Sequence, residues 1–192
     1  MRIIGGRAGG RRLSVPPSGT RPTTDRVREA LFSSLDAQVR SGFGDWGAIR
    51  VLDLFAGSGA VGLEAVSRGA VHATLVERDR RCLDVLRSNV AAIDPHATVV
   101  AADAFTWAPT GGPYGVVYLD PPYAVPDEDV RDLLDRLHLS GALEDQALVV
   151  VERARTASSP WPNQRFAAVH DRDYGDTRLW YGRAPATWDE EE

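Results

Sequence analysis

A chain of 192 residues, 43% hydrophobic and 26% charged, has the size and balance of one globular domain with a buried core. No apolar run reaches the roughly 18 residues a membrane helix needs, and the opening Met1-Arg2-Ile3-Ile4-Gly5-Gly6 lacks the apolar centre of a secretory signal. A single cysteine, Cys82, excludes an internal disulfide and a cysteine-rich zinc site, so a reducing, cytoplasmic setting is expected.

The net charge of -5 conceals an asymmetry: residues 1–40 carry eight Arg against three acids, whereas residues 41–192 carry 14 Arg against 24 acids. All 22 basic residues are arginine, whose planar fork suits phosphate. A basic arm on an acidic body predicts contact with a polyanion.

In chain order, residues 2–15 read as two short strands around the turn-rich Arg7-Ala8-Gly9-Gly10, and Pro16-Pro17-Ser18-Gly19 breaks regular structure. Thr23-Thr24-Asp25 offers helix caps, and Val27, Ala30, Leu31 and Leu35 follow at helical spacing, with an end near Ser41-Gly42. Strands are then predicted over 49–55, 73–76, 98–101, 115–119 and 147–151, with two more near 166–170 and 178–183. Helices are predicted over 60–67, 79–93 and 130–139. Apolar strands alternating with amphipathic helices imply a doubly covered, mainly parallel sheet, an α/β fold of Rossmann type. The expected organisation is a basic β-hairpin extension over 1–20, a catalytic domain over 21–186 and an acidic tail over 187–192.

Ligands of such sheets bind at the carboxyl ends of the strands. Asp53, Glu77, Asp103 and Asp120 stand at four of those ends. After the first strand comes Phe55-Ala56-Gly57-Ser58-Gly59-Ala60-Val61-Gly62, where glycines let a ligand approach the backbone. Gly57, Gly59 and Gly62 satisfy the dinucleotide fingerprint, with Glu77 as the acid about 20 residues on, so a nucleotide oxidoreductase competes at this point. Asp53 argues against it: a carboxylate there repels a pyrophosphate but suits the ammonium of S-adenosylmethionine. Glu77 on the ribose hydroxyls and Asp103 on the adenine amino group complete an adenosine site. The expected cofactor set is Asp53, Phe55, Gly57, Gly59, Glu77, Arg78, Asp103 and Ala104.

The second motif is Asp120-Pro121-Pro122-Tyr123. Two prolines fix the backbone and remove two N–H donors, leaving a rigid run of acceptors. The exocyclic amine of a base is a poor nucleophile because its lone pair is delocalised into the ring. Acceptors that bind its N–H groups orient that lone pair and stabilise the developing positive charge. Tyr123 offers a face for stacking. The expected reaction is direct methyl transfer to an amino nitrogen, with S-adenosylhomocysteine leaving and no metal. His72, His96, His138 and His170 lack metal-ligand spacing, and Cys82 falls on the apolar side of a helix.

These residues extend into longer matches. Gly10-Arg11-Arg12-Leu13, Arg21-Pro22-Thr23-Thr24-Asp25-Arg26-Val27-Arg28-Glu29-Ala30-Leu31-Phe32, Gly62-Leu63-Glu64-Ala65-Val66-Ser67-Arg68-Gly69-Ala70 and Tyr174-Gly175 join the two motifs above. Over almost its whole length the chain resembles the bacterial RsmD family, the 16S rRNA guanine-N2 methyltransferases. The resemblance implies a class I methyltransferase fold with an N-terminal extension. It further implies methylation of guanine N2, the family's usual target being guanine 966 of 16S rRNA, in a partly assembled small subunit. Carried over, Arg7, Arg11 and Arg12 face RNA, and Arg21, Thr23 and Arg26 lie near the target pocket; a monomer is expected. Two alternatives stay open: an adenine-N6 methyltransferase of DNA or RNA, and a non-catalytic RNA-binding assembly factor.

Overall fold

The computed structural model describes residues 1–16, 25–161 and 165–186. The chain divides into two compact units, Met1–Thr106 and Trp107–Glu192.

The first unit contains α1 (Asp25–Gly42), β1 (Arg50–Leu54), α2 (Ala60–Ser67), β2 (His72–Glu77), α3 (Arg80–Ile93) and β3 (Thr98–Ala101). Its strands run parallel in the order β3-β2-β1, with Asp53 opposite Leu75 and Glu77 opposite Ala101. Both β1 and β2 are buried along nearly their whole length, as strands covered on both faces must be. Every residue of α2 is buried. Gly62 makes that possible, because a Cβ there would stand 2.1 Å from the Leu75 Cδ2. Helix α3 starts on the Asp79 side chain, which accepts from the Arg81 N–H, and buries Cys82, Leu83, Leu86 and Val90.

The second unit contains β4 (Tyr114–Leu119), α4 (Asp127–Leu139), β5 (Leu143–Ala154), β6 (Ala167–Tyr174) and β7 (Thr177–Arg183). Its order is β4-β5-β7-β6, with β4 and β5 parallel and β7 antiparallel to both neighbours. The β6–β7 hairpin turns on Gly175, whose φ of 63° suits glycine. Helix α4 places Asp127, Glu128 and Asp129 in its first turn and Arg136 and His138 in its last, matching the helix dipole at both ends.

Three expectations need correction. Helix α4 begins at Asp127 rather than Val130, because its first turn is acidic and carries no apolar period. Strand β5 begins at Leu143 rather than Ala147. A register shift lies opposite its polar start, and Gln146 has a φ of 57°, so alternation fails there. The two strands expected over residues 2–15 reduce to one bridge between Arg2 and Arg12. The two segments still pair around that bridge, Ile3 donating to the Arg11 carbonyl, Gly10 to the Ile3 carbonyl and Leu13 to the Met1 carbonyl, while other backbone groups of the arm bond α2: Ile4 and Gly5 donate to Glu64, Arg7 to the Ser67 carbonyl and Ala8 to the Ser67 hydroxyl. The caps expected at Thr23 and Thr24 lie outside the described residues. Among the described residues no helix is long and apolar enough to cross a membrane.

Candidate functional site

In the first unit the chain turns sharply after β1. Phe55, Gly57 and Gly59 have φ values of 65°, 55° and 80°, and Ala56 donates to the Val76 carbonyl at 2.9 Å. A Cβ at Gly57 would meet nothing closer than 4.0 Å, so this glycine faces open space. At Gly59 a Cβ would come within 2.6 Å of Leu86, so that glycine serves packing.

The carboxylates around this loop are already engaged. Asp53 is 1% exposed, and one of its oxygens accepts from the Gly62 N–H at 2.9 Å. Burial pushes its pKa up to about 7; the Gly62 bond pulls it down and the neighbouring Glu77 charge pushes it further up. Glu77, 9% exposed, accepts from the N–H groups of Gly57 (2.8 Å), Arg78 (2.8 Å) and Asp79 (2.7 Å). Arg78 bridges to Asp103 at 2.7 Å, and the other Asp103 oxygen accepts from the Phe105 N–H. Phe55 and Phe105 pair with ring centroids 5.3 Å apart, and Ala104 is buried beside them. The unit therefore gathers the whole expected cofactor set. Sequence reasoning missed Phe105, although an aromatic two residues after the strand-end acid was a readable signal.

The arm lies in the same unit. Glu64 is fully buried and holds Ile4 and Gly5 with one carboxylate, while Arg68 donates to it and to Asp36. A Cβ at Gly6 would fall 1.9 Å from the Ser67 carbonyl, so the arm can approach α2 only through glycine. Arg11, Arg12 and Arg26 are exposed. Arg7, 62% exposed, pairs with the buried Asp94. Arg21 and Thr23 lie outside the described residues. Arg28, not singled out from sequence, is fully buried and donates to the Arg2 carbonyl and Asp25.

In the second unit Asp120-Pro121-Pro122-Tyr123 follows β4. Asp120 is half-buried and Pro121 buried. The Pro122 carbonyl accepts from the Val125 N–H at 2.9 Å and from Arg153 at 3.3 Å. Arg153 is buried, and it also donates to the Val125 carbonyl and Asp127. The Tyr123 hydroxyl bonds Thr177 at 2.8 Å, so the ring, 45% exposed, is anchored at its tip. Beneath the motif the Tyr118 hydroxyl donates to the buried Glu152 at 2.5 Å. An open groove of about 320 Å³ runs past Tyr123, Val125, Asp127, Arg153 and Thr156. Arg153 and Glu152 were invisible to motif reading, because their partners lie 26 to 34 residues away.

Comparison with known proteins agrees with this picture. Residues 1–183 match the family described as "Conserved hypothetical protein 95". The "Ribosomal RNA small subunit methyltransferase D" of Escherichia coli (strain K12) is 44% identical over 157 residues, 79% of this chain and 74% of that protein. The solved structure of yhhF from Escherichia coli superposes with a TM-score of 0.84 at 36% identity, covering 97% of this chain and 99% of the other. An RNA methyltransferase from Salinibacter ruber, solved in complex with S-adenosyl-L-homocysteine, shares the fold with a TM-score of 0.61 at 18% identity, over 89% of this chain and 98% of that one. The chain belongs to the RsmD family and has the class I methyltransferase fold.

Proposed function

We propose that the protein is an S-adenosylmethionine-dependent methyltransferase that modifies the exocyclic N2 of a guanine in 16S rRNA, guanine 966, within a partly assembled small subunit. The observation that carries the reading is the rigid Asp120-Pro121-Pro122-Tyr123 turn, fixed by two prolines and by Arg153 on the Pro122 carbonyl. The name of the Escherichia coli relative supports ribosomal RNA as substrate. The residues present fit the methyl donor: Gly57 faces open space, and the acids that ring it match an ammonium, a ribose and an adenine amino group. When bound, S-adenosylmethionine supplies a methyl group on an electrophilic sulfonium, and no metal is needed.

The chain's own residues do the rest. Asp53 would hold the ammonium, Glu77 the ribose hydroxyls and Asp103 the adenine amine beside Phe55, Arg78 and Ala104, with Gly59 shaping the loop. Asp120 accepts an N–H of guanine N2, which orients the nitrogen lone pair and stabilises the positive charge that grows on nitrogen. Tyr123 stacks on the base, which must leave its own stack to reach the site. Arg7, Arg11 and Arg12, with Arg21, Thr23 and Arg26, bind RNA. Residues 1–20 act as the basic arm, 21–186 as the catalytic domain and 187–192 as an acidic tail. The protein works as a monomer in the cytoplasm.

The test is incubation of purified protein with labelled S-adenosylmethionine and immature small subunits, followed by nucleoside analysis. N2-methylguanosine is the expected product. N6-methyladenosine, or no transfer at all, overturns the reading.

A further inference from the structure

Asn89 on α3 is 3% exposed and belongs to neither motif. Its amide makes three hydrogen bonds. Oδ1 accepts from the Ser14 N–H at 2.9 Å, and Nδ2 donates to the Ser14 carbonyl at 3.0 Å and to the Ser58 carbonyl at 2.8 Å. The first two bonds close a ring on one residue of the basic arm, as a neighbouring strand would. The third fixes a peptide of the glycine loop, between Gly57, which faces open space, and Gly59, which is packed on Leu86. One buried amide thus spends both N–H donors and its acceptor on two segments 44 residues apart in the chain. A second link joins the same two segments, from the Ser58 hydroxyl to the Met1 sulfur at 3.7 Å.

We propose that Asn89 is a positioning residue that couples the cofactor loop to the RNA-binding arm, so that a filled cofactor site and a bound RNA strengthen each other. The inference rests on the functional reading above, in which the glycine loop takes the methyl donor and residues 1–20 meet RNA. The physical basis is that a ligand ordering the Ser58 peptide also fixes the Nδ2 that holds Ser14, and an arm clamped on RNA fixes the same amide from the other side. Such coupling is reciprocal, and couplings of this kind span about 5- to 150-fold in affinity. Asn is needed because the role requires two donors and one acceptor on a single short side chain. Asp has no donor and would set a carboxylate oxygen against two carbonyls. Both contacts at Ser14 and the amide contact at Ser58 are to backbone, so the serine hydroxyls are not required for them.

The experiment measures affinity for immature small subunits with and without saturating S-adenosylhomocysteine, for the wild type, Asn89→Asp, Asn89→Leu and Ser14→Ala. The wild type and Ser14→Ala are expected to bind at least about fivefold tighter with the product present. In both Asn89 variants the ratio falls to near one, while each still binds S-adenosylhomocysteine and RNA separately. An unchanged ratio in a folded Asn89 variant overturns the proposal, as does a wild-type ratio of one. If the variants fail to fold, hydrogen exchange on the wild type decides: the Ser14 amide gains protection on adding S-adenosylhomocysteine without RNA, and unchanged protection refutes the coupling. Failure of the underlying reading looks different, because the wild type then binds no S-adenosylhomocysteine or no RNA.

Discussion

The strand ends of the first unit and the turn after β4 in the second are built on opposite plans. Around the glycine loop the acids are held by the protein's own donors: Gly62 on Asp53, three backbone N–H groups on Glu77, and Arg78 with Phe105 on Asp103. A ligand that uses these carboxylates shares them with the chain's own donors, on the lone pairs that remain. The turn after β4 is held by covalent restraint and by Arg153, which grips the backbone from behind. The first plan keeps buried acids hydrogen-bonded and fixed in orientation. The second fixes its backbone in advance, as the proposed transfer asks of a preorganised site.

The largest expected effect strikes the preorganised turn. Asp120→Ala lowers kcat on the order of 10²–10³-fold with little change in cofactor affinity. Single-turnover rates with isothermal titration read the two separately, and a parallel loss of cofactor binding would dissolve the contrast between the regions. Next comes Arg153→Met, which leaves Asp127 and two carbonyls without their buried donor. A loss of about 3–5 kcal/mol in urea unfolding is expected, with a slower kcat in whatever remains folded.

The cofactor region is predicted to answer to pH rather than to rigidity. The folded pKa of Asp53 is raised to about 7, so below that pH the native carboxyl binds a proton that the unfolded chain gives up near pH 4. Its contribution to stability is therefore fully present below about pH 4 and declines as pH rises to about 7. Cofactor affinity runs the other way, because a bound ammonium favours the charged form. Affinity rises with pH up to about 7 and falls as much as tenfold per unit below it, and binding near neutrality releases a proton. Titration in buffers of different ionisation enthalpy measures that release, and Asp53→Asn binds more weakly with a flat profile. The smallest effect belongs to the arm: Arg11→Ala and Arg12→Ala each weaken RNA binding several-fold and reduce the salt slope by about one.

Much of this layout was legible in the sequence. The helix over 60–67 and the strand over 98–101 were read at their observed limits, and the strand-end acids were found as carboxylates. What stayed hidden has one cause. Glu64 holding Ile4, Asn89 holding Ser14 and Arg153 holding Pro122 join residues 31 to 75 apart. Such bonds leave no local period to read. The same cause shortened the hairpin expected over 2–15, which keeps one bridge and gives several of its backbone groups to α2. Even the acids that were found did not disclose which of the chain's own donors bond them. The Gly62–Ala70 run, a mark of family resemblance, proves to be where the arm docks, since Glu64, Ser67 and Arg68 all lie in it.

The most direct test of the central claim is nucleoside analysis of 16S rRNA from cells lacking this protein, repeated after supplying the wild type or Asp120→Ala. N2-methylguanosine at guanine 966 is expected to disappear, to return with the wild type and to stay absent with Asp120→Ala. A modification that persists without the protein, or that Asp120→Ala restores in full, contradicts that claim.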